Sequence, residues 1–151
     1  MVVGISNFLD VFLLLIDGNM TGKIFRNILE ECLFLSVSNL SMEEEWTLQM
    51  DNDPKHKSNI VQTYLREKAV NILVNWPPNS PDLNPIENLW AILKVNVSKK
   101  YPKNIHDLEL NIKNEWELLN IEHKNLMIKL VESMPERLEQ VIKRKGYYTD
   151  F

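Results

Sequence analysis

The order of apolar and polar residues predicts an α/β chain that begins with strands and ends with helices. Residues 2–6 and 11–16 read as the two strands of a hairpin, joined by a turn near residues 7–10, and the second strand is apolar on both faces. Shorter strands are predicted at 46–50 and 71–76. Because a helix separates these two strands, they should lie parallel through a right-handed crossover.

Three helices are predicted from the residue types that cap helix starts. Thr21 follows the Asp17–Asn19 turn as an N-cap, and Asp53-Pro54 and Asn84-Pro85 each pair an N-cap with a first-turn proline. Further helices are predicted at 105–119, 122–134 and from 135 to a C-cap at Gly146. The apolar faces expected to be buried are Ile24, Phe25, Ile28, Leu29 and Leu33, then Ile60, Val61, Tyr64, Leu65 and Ala69, then Ile86, Leu89, Trp90, Leu93 and Val97.

Composition narrows the function classes. The 151 residues are one domain in size, and a net charge of −4 gives no support to a strongly basic nucleic-acid surface. Cys32 is the single cysteine, so it forms no intramolecular disulfide; its apolar neighbours favour a buried, inert thiol. The scattered histidines argue against zinc. The apolar run at 11–16 is too short to span a membrane, and an intracellular location is expected.

Two carboxylates are the best candidates for a functional site. Asp51 lies at the carboxyl end of the strand at 46–50, and Glu87 lies in the first turn of the helix that begins after Asn84. Functional groups in parallel sheets gather beyond the carboxyl ends of the strands. Mg²⁺ and Mn²⁺ prefer such oxygen ligands, and two ions about 4 Å apart can drive phosphodiester cleavage. Asp51 and Glu87 are therefore predicted to be catalytic metal ligands of a nuclease.

The same residues also allow purely structural interpretations. Glu87 stands three residues after Asn84, where a glutamate completes a capping box. Asp51 could accept hydrogen bonds from the turn that follows it, and Asp53 is best explained as an N-cap. His56 is expected on the solvated surface and Asp82 in a turn. The residues alone leave both interpretations open.

Two motifs give the chain a family resemblance. DNDPKHKS, from Asp51, and WPPNSPDLNPIENLW, up to Trp90, closely resemble the catalytic domain of the mariner-like superfamily of DDE transposases. IDGNMTGKIFRNILEE and LVESMPERLEQVIKRKG resemble the flanking segments, so the likeness covers residues 3–146. Lys57 departs from a more familiar threonine, and the 35 residues between Asp51 and Glu87 exceed the common spacing by one.

This resemblance implies the catalytic part of a cut-and-paste DNA transposase. The implied fold is an RNase H-like mixed sheet flanked by helices, with a helical C-terminal part. Asp51 would be the second and Glu87 the third of three acids that bind Mg²⁺ or Mn²⁺. The implied partner is DNA at transposon ends and the implied location the nucleus, with no membrane and no small-molecule substrate.

The resemblance also implies missing parts. The family's first acid and its first central strand precede the residue that corresponds to Met1, and so do its helix-turn-helix units. Asp10 and Asp17 are poor substitutes for that acid. The expectation is a single partial domain over residues 1–151, inactive alone, of low thermal stability and prone to associate with itself or with an intact transposase.

Two other functions remain as alternatives. The chain could be a noncatalytic, domesticated module that binds DNA or protein through the basic residues 143–145, although a solvated helix end explains these residues as well. It could also be a metal-free structural protein in which both carboxylates are caps.

Overall fold

A computed structural model describes residues 2–4, 12–39, 46–122 and 124–151. The chain forms two compact units. Residues 16–79 make one, called here the Asp51 unit, and residues 1–15 with 80–151 make the other, called the Glu87 unit. None of the helices in the described ranges is both long and apolar enough to cross a membrane.

The predicted hairpin is present in the Glu87 unit. Strands β1 (Val2–Gly4) and β2 (Phe12–Leu14) pair antiparallel, with Val3 opposite Leu13. Strand β2 ends before the predicted residue 16, and the predicted strand residues 5, 6 and 11 and the expected turn at 7–10 lie outside the described residues. Leu13 packs against the helical core of this unit, which places the hairpin on that core.

The first helical region of the Asp51 unit begins where the sequence predicts. It comprises α1 (Gly22–Ile28), a π-helical turn (Leu29–Leu33) and α2 (Phe34–Asn39). The Oγ1 atom of Thr21 accepts the Ile24 N–H at 3.2 Å, which confirms Thr21 as the N-cap. Phe25 and Leu29 are buried as predicted. Cys32 is half-buried rather than buried as predicted, although burial still raises the pKa of its thiol.

The predicted helix start at Asp53-Pro54 is wrong. Helix α3 (Asn59–Glu67) begins five residues after Pro54, with Ser58 as its extended N-cap residue. Residues 54–57 form turns instead: the Asp53 side chain accepts the Lys55 N–H at 2.8 Å, as an N-cap does, but the chain becomes extended at Ser58, with a ψ of 146°, before α3 begins.

The apolar face of α3 is only partly as predicted. Val61, Tyr64 and Leu65 are buried, whereas Ile60 is exposed. Ala69 lies beyond the helix with a φ of 52°, in the left-handed region. The Val70 N–H donates to the Leu65 carbonyl at 2.9 Å, which ends the helix in a Schellman-type turn rather than extending its apolar face.

The two short predicted strands of the Asp51 unit meet at a single parallel bridge, between Leu48 and Ile72. The Leu48 N–H donates to the Asn71 carbonyl at 2.8 Å, and the Leu73 N–H donates to the Leu48 carbonyl at 2.9 Å. The parallel direction is confirmed. Leu73 and Val74 are exposed, so little apolar burial supports a longer ladder. The larger mixed sheet is not seen among the described residues, whose one sheet has two strands.

The Glu87 unit is a helical assembly. A 3₁₀ turn (Pro81–Leu83) leads into α4 (Pro85–Ser98), followed by α5 (Ile105–Glu122), α6 (Lys124–Glu132) and α7 (Met134–Lys143). These helices agree with the sequence prediction. The core consists of Ile86, Leu89, Leu93, Val97, Trp116, Leu119 and Met127. The predicted face of α4 is therefore confirmed except at Trp90, which is half-buried and packs against this core.

Helix α7 ends earlier than predicted, because its C-cap is Arg144, two residues before the expected Gly146. Lys145 takes the left-handed conformation, with a φ of 56°, and Gly146 follows it. The Gly146 N–H donates to the Val141 carbonyl at 2.9 Å, which completes a Schellman-type end. Gly146 therefore closes the helix end through its N–H, while Lys145 is the residue in the left-handed position.

Candidate metal centre

Asp51 lies just after the bridge strand and holds the turn that follows it. Its Oδ1 atom accepts the Asp53 N–H at 3.0 Å, as one structural interpretation predicted. The side chain is 60% exposed. Its other oxygen, Oδ2, has no hydrogen-bond partner in the part of the chain that the structure describes, so one face of the carboxylate is open to a ligand.

His56 lies against the same carboxylate. Its Nδ1 atom is 2.7 Å from Oδ1 of Asp51, yet the ring N–H does not point along a hydrogen-bond direction, so this is a close contact rather than an aligned bond. The ring stacks on Phe25 with centroids 4.1 Å apart, and the side chain is 19% exposed. The expectation of a solvated surface histidine is therefore wrong.

The neighbouring residues fix the segment that carries Asp51. Lys55 Nζ lies 2.6 Å from Asp53 Oδ2, and this lysine lowers the pKa of the Asp53 carboxyl, first through the side-chain hydrogen bond. The Asn52 amide donates to the Trp76 carbonyl at 2.9 Å. Asp53 is thus engaged by Lys55, and its predicted role as a helix N-cap is replaced by a turn.

Glu87 lies in the first turn of α4, and its side chain is exposed. Asn84 caps this helix as predicted, because its Oδ1 accepts the Ile86 N–H at 3.4 Å. A capping box would also require the Asn84 N–H to donate to Glu87. That N–H donates to the Pro81 carbonyl at 3.0 Å instead. Within the described ranges the Glu87 carboxylate has no hydrogen bond or ion pair.

Arg137 is a residue near Glu87 that the sequence did not single out. It is fully buried on α7, and its guanidinium donates to Asp82, Asn88 and Ser133. Asp82 is more than the predicted turn residue, since its Oδ2 atom also accepts the Thr149 N–H at 2.7 Å. The local sequence carries no signal for this cluster, because the partners come from distant parts of the chain.

The predicted site residues lie in different units. Asp51 belongs to the Asp51 unit and Glu87 to the Glu87 unit, so their pairing at one metal centre stays a prediction. Asp10 lies outside the described residues, and Asp17 is exposed beside Gly18, whose φ is 75°. No group of three or more His, Cys, Asp or Glu side chains suited to a metal ion occurs in the described ranges.

Comparison with known sequences identifies the family. A sequence profile described as "DDE superfamily endonuclease" matches residues 1–109, which is well over half of the chain. The chain belongs to the DDE superfamily of endonucleases. This superfamily generally uses divalent metal ions.

Several DDE relatives are transposases of nematode transposable elements. The chain is 34% identical over 136 residues to the Tcb1 transposase of Caenorhabditis briggsae, which covers 90% of this chain and 48% of the relative. It is 36% identical over 106 residues to the Tc1 transposase of Caenorhabditis elegans, covering 70% and 37%. It is 35% identical over 134 residues to the Tc3 transposase of the same species, covering 87% and 39%.

These matches confirm the resemblance to mariner-like transposases. The chain spans about half the length of the curated relatives it matches, or less.

The carboxylates of this DDE chain fit a hard divalent cation. Both side chains offer oxygen ligands, which Mg²⁺ and Mn²⁺ prefer, and both are open to solvent, so bound ions could keep several waters. Asp51 has one oxygen held by a backbone amide and one available.

The basic residues at the C-terminus are partly neutralised within the chain. Lys143 Nζ lies 3.2 Å from Glu139, and Arg144 pairs with Asp150 and donates to the Tyr148 carbonyl at 2.8 Å. This favours the solvated helix end over a nucleic-acid surface for residues 143–145.

Proposed function

We propose that this chain is part of the catalytic domain of a cut-and-paste DNA transposase, in which Asp51 and Glu87 are the second and third acidic ligands of Mg²⁺ or Mn²⁺. The proposal includes the family's RNase H-like mixed sheet, transposon-end DNA as substrate and action in the nucleus. One observation carries it: in a member of the DDE superfamily, the glutamate of the NPIEN motif is exposed and free of its capping bond.

The two acids are held in different ways that suit metal binding. The Asp53 amide fixes one oxygen of Asp51, while His56 lies against the same oxygen and leaves the other available. Glu87 projects from a helix start whose capping bonds are made by Asn84 and Pro81. When bound, divalent ions would activate water and stabilise the leaving oxygen in phosphodiester cleavage.

The proposal also includes the expectation that none of these 151 residues supplies the family's first acid. We therefore propose that the polypeptide, when produced alone, binds metal without cleaving DNA, and that cleavage requires an intact transposase or another chain to supply that acid. The alternative of a structural protein with two caps has less support, because the capping box of Glu87 is not formed.

A paired assay tests this proposal. Thermal unfolding is followed with and without millimolar Mn²⁺ for wild type, Asp51→Asn and Glu87→Gln, with Asp17→Asn and Glu117→Gln as exposed control carboxylates. We expect Mn²⁺ to raise the melting temperature of wild type and of both controls, and to have less effect on the two site variants.

The same proteins are then incubated with Mn²⁺ and supercoiled plasmid that carries a transposon end. We expect no nicking by any of them. Glu87-dependent nicking would show that the chain is active alone, whereas the absence of any Mn²⁺ effect on wild-type melting would contradict the metal site itself.

A further inference from the structure

Arg137 carries a charge in the interior of the Glu87 unit. Its side chain is 0% exposed and is the largest of the fully buried side chains in the described ranges. Burial lowers the pKa of this guanidinium. Removing a cation from water costs several kcal/mol, and apolar residues of similar volume are often as stable or more so. Packing alone therefore does not account for an arginine at this position.

The guanidinium donates to acceptors on both sides of Glu87. NH1 donates to the Asp82 carbonyl at 2.5 Å, in the 3₁₀ turn before the N-cap of α4. NH2 donates to Oδ1 of Asn88 at 2.9 Å, in the residue that follows Glu87. Arg137 thus connects the turn that leads into α4 with the first turn of the helix.

Two further contacts hold the guanidinium itself. Its Nε donates to Oγ of Ser133 at 2.9 Å, one turn earlier along the chain. The Phe151 ring lies over it, with 4.4 Å from the guanidinium carbon to the ring centroid. The C-terminal residues are also tied to Asp82 through the Thr149 N–H, at 2.7 Å. Because these contacts fix the guanidinium, it can hold its acceptors on either side of Glu87 in place.

We propose that Arg137 is a positioning residue for Glu87, an inference that rests on the proposed metal-binding function. The Glu87 carboxylate makes no hydrogen bond or ion pair in the described ranges, so its direction depends on the first turn of α4. Arg137 holds the segments on both sides of Glu87, through the backbone carbonyl of Asp82 and the side chain of Asn88. Outer residues that orient metal ligands typically affect metal affinity by about 10–100-fold.

The test measures metal binding at Glu87 directly. Mn²⁺ is titrated into the ¹⁵N-labelled chain, and paramagnetic broadening of the Glu87 amide signal gives an apparent dissociation constant. We expect Arg137→Met, Arg137→Lys and Asn88→Ala each to weaken this binding by about tenfold. Asn88→Ala and Arg137→Lys keep the test available if Arg137→Met does not fold.

A matched control separates positioning from general stability. Val97 is buried ten residues further along α4, about 15 Å away at the rise of an α-helix. Val97→Ala destabilises the same helix without touching the Arg137 contacts, and we expect its apparent dissociation constant to stay within about twofold of wild type.

The outcomes distinguish the inference from the function on which it rests. Unchanged Mn²⁺ binding in Arg137→Lys and Asn88→Ala, with clear binding in wild type, would overturn the positioning role and leave the metal site intact. If Val97→Ala weakened Mn²⁺ binding as much as the Arg137 variants do, the effect of Arg137 would be one of general stability and the positioning role would be overturned. No broadening at Glu87 in wild type would overturn the metal site and the positioning role together.

Discussion

Replacing Glu87 with glutamine separates a metal ligand from a helix cap. The substitution keeps the shape of the side chain and removes its charge. The carboxylate makes no hydrogen bond in the described ranges, so the main loss is its interaction with the helix N-terminus, about 0.5 kcal/mol. By contrast, Asn84→Ala removes a capping bond of 3.4 Å, which is long for such a bond, so its cost should be about 0.5–1 kcal/mol.

With a divalent ion bound, Glu87→Gln should cost more stability than Asn84→Ala. A ligand that binds the folded state at about ten times its dissociation constant adds about 1.4 kcal/mol to the free energy of unfolding. We therefore expect wild type and Asn84→Ala to gain nearly this amount with saturating Mn²⁺. Glu87→Gln should gain much less.

Urea unfolding measures both effects. The chain has four tryptophans, and their fluorescence reports the transition. The shift in midpoint at constant slope gives the difference in free energy. The reasoning is refuted if, without metal, Glu87→Gln costs more than Asn84→Ala, or if Mn²⁺ stabilises Glu87→Gln as much as wild type.

Three further predictions follow from other contacts. Glu115 is buried beside Lys100, whose hydrogen bond lowers the pKa of the glutamate carboxyl. The stability that this pair contributes is present above the unfolded pKa near 4.5 and is lost as pH falls through the lower folded pKa. Glu115→Gln should therefore flatten the decrease in unfolding free energy at acid pH. His56→Ala should cost about 1 kcal/mol through loss of the Phe25 stack, and weaken Mn²⁺ broadening of the Asp51 amide; unchanged broadening would exclude support of Asp51 by His56. Gly22→Ala should lower the melting temperature by several degrees, because the added Cβ would lie 2.9 Å from Cβ of Ser58; an unchanged melting temperature would contradict this packing.

Local signals predicted one helix start and failed at another. Asn84-Pro85 begins α4 as expected, because its capping bond joins neighbours in sequence. Asp53-Pro54 carries the same signal, yet no helix begins there. The Asp53 side chain does accept the Lys55 N–H, but the extended Ser58 ends the turns at 54–57 before a helix forms. An N-cap residue followed by proline therefore does not by itself predict whether the first turn continues into a helix.

The contacts around Asp51 and Glu87 could not be predicted from local patterns, because they join residues that are distant in sequence. Arg137 reaches acceptors 55 and 49 residues away in sequence, so no periodicity or motif indicates the contacts. The stack of His56 on Phe25 likewise joins the turn at 54–57 to helix α1, across 31 residues of sequence. The two candidate acids come from motif resemblance, which selects residues without needing their surroundings, and their role as metal ligands stays a prediction. The strands at 46–50 and 71–76 were predicted too long, because the alternation of apolar and polar residues does not show how much of a neighbouring strand is there to pair with.

The central claim is that Asp51 and Glu87 bind a divalent cation, and electron paramagnetic resonance tests it most directly. Free Mn²⁺ is measured as the ion is titrated into wild type, Asp51→Asn, Glu87→Gln and the control Glu117→Gln. We predict saturable binding by wild type and by the control, and binding weakened by about tenfold or more in each site variant. Equal binding by wild type and both site variants would contradict the claim.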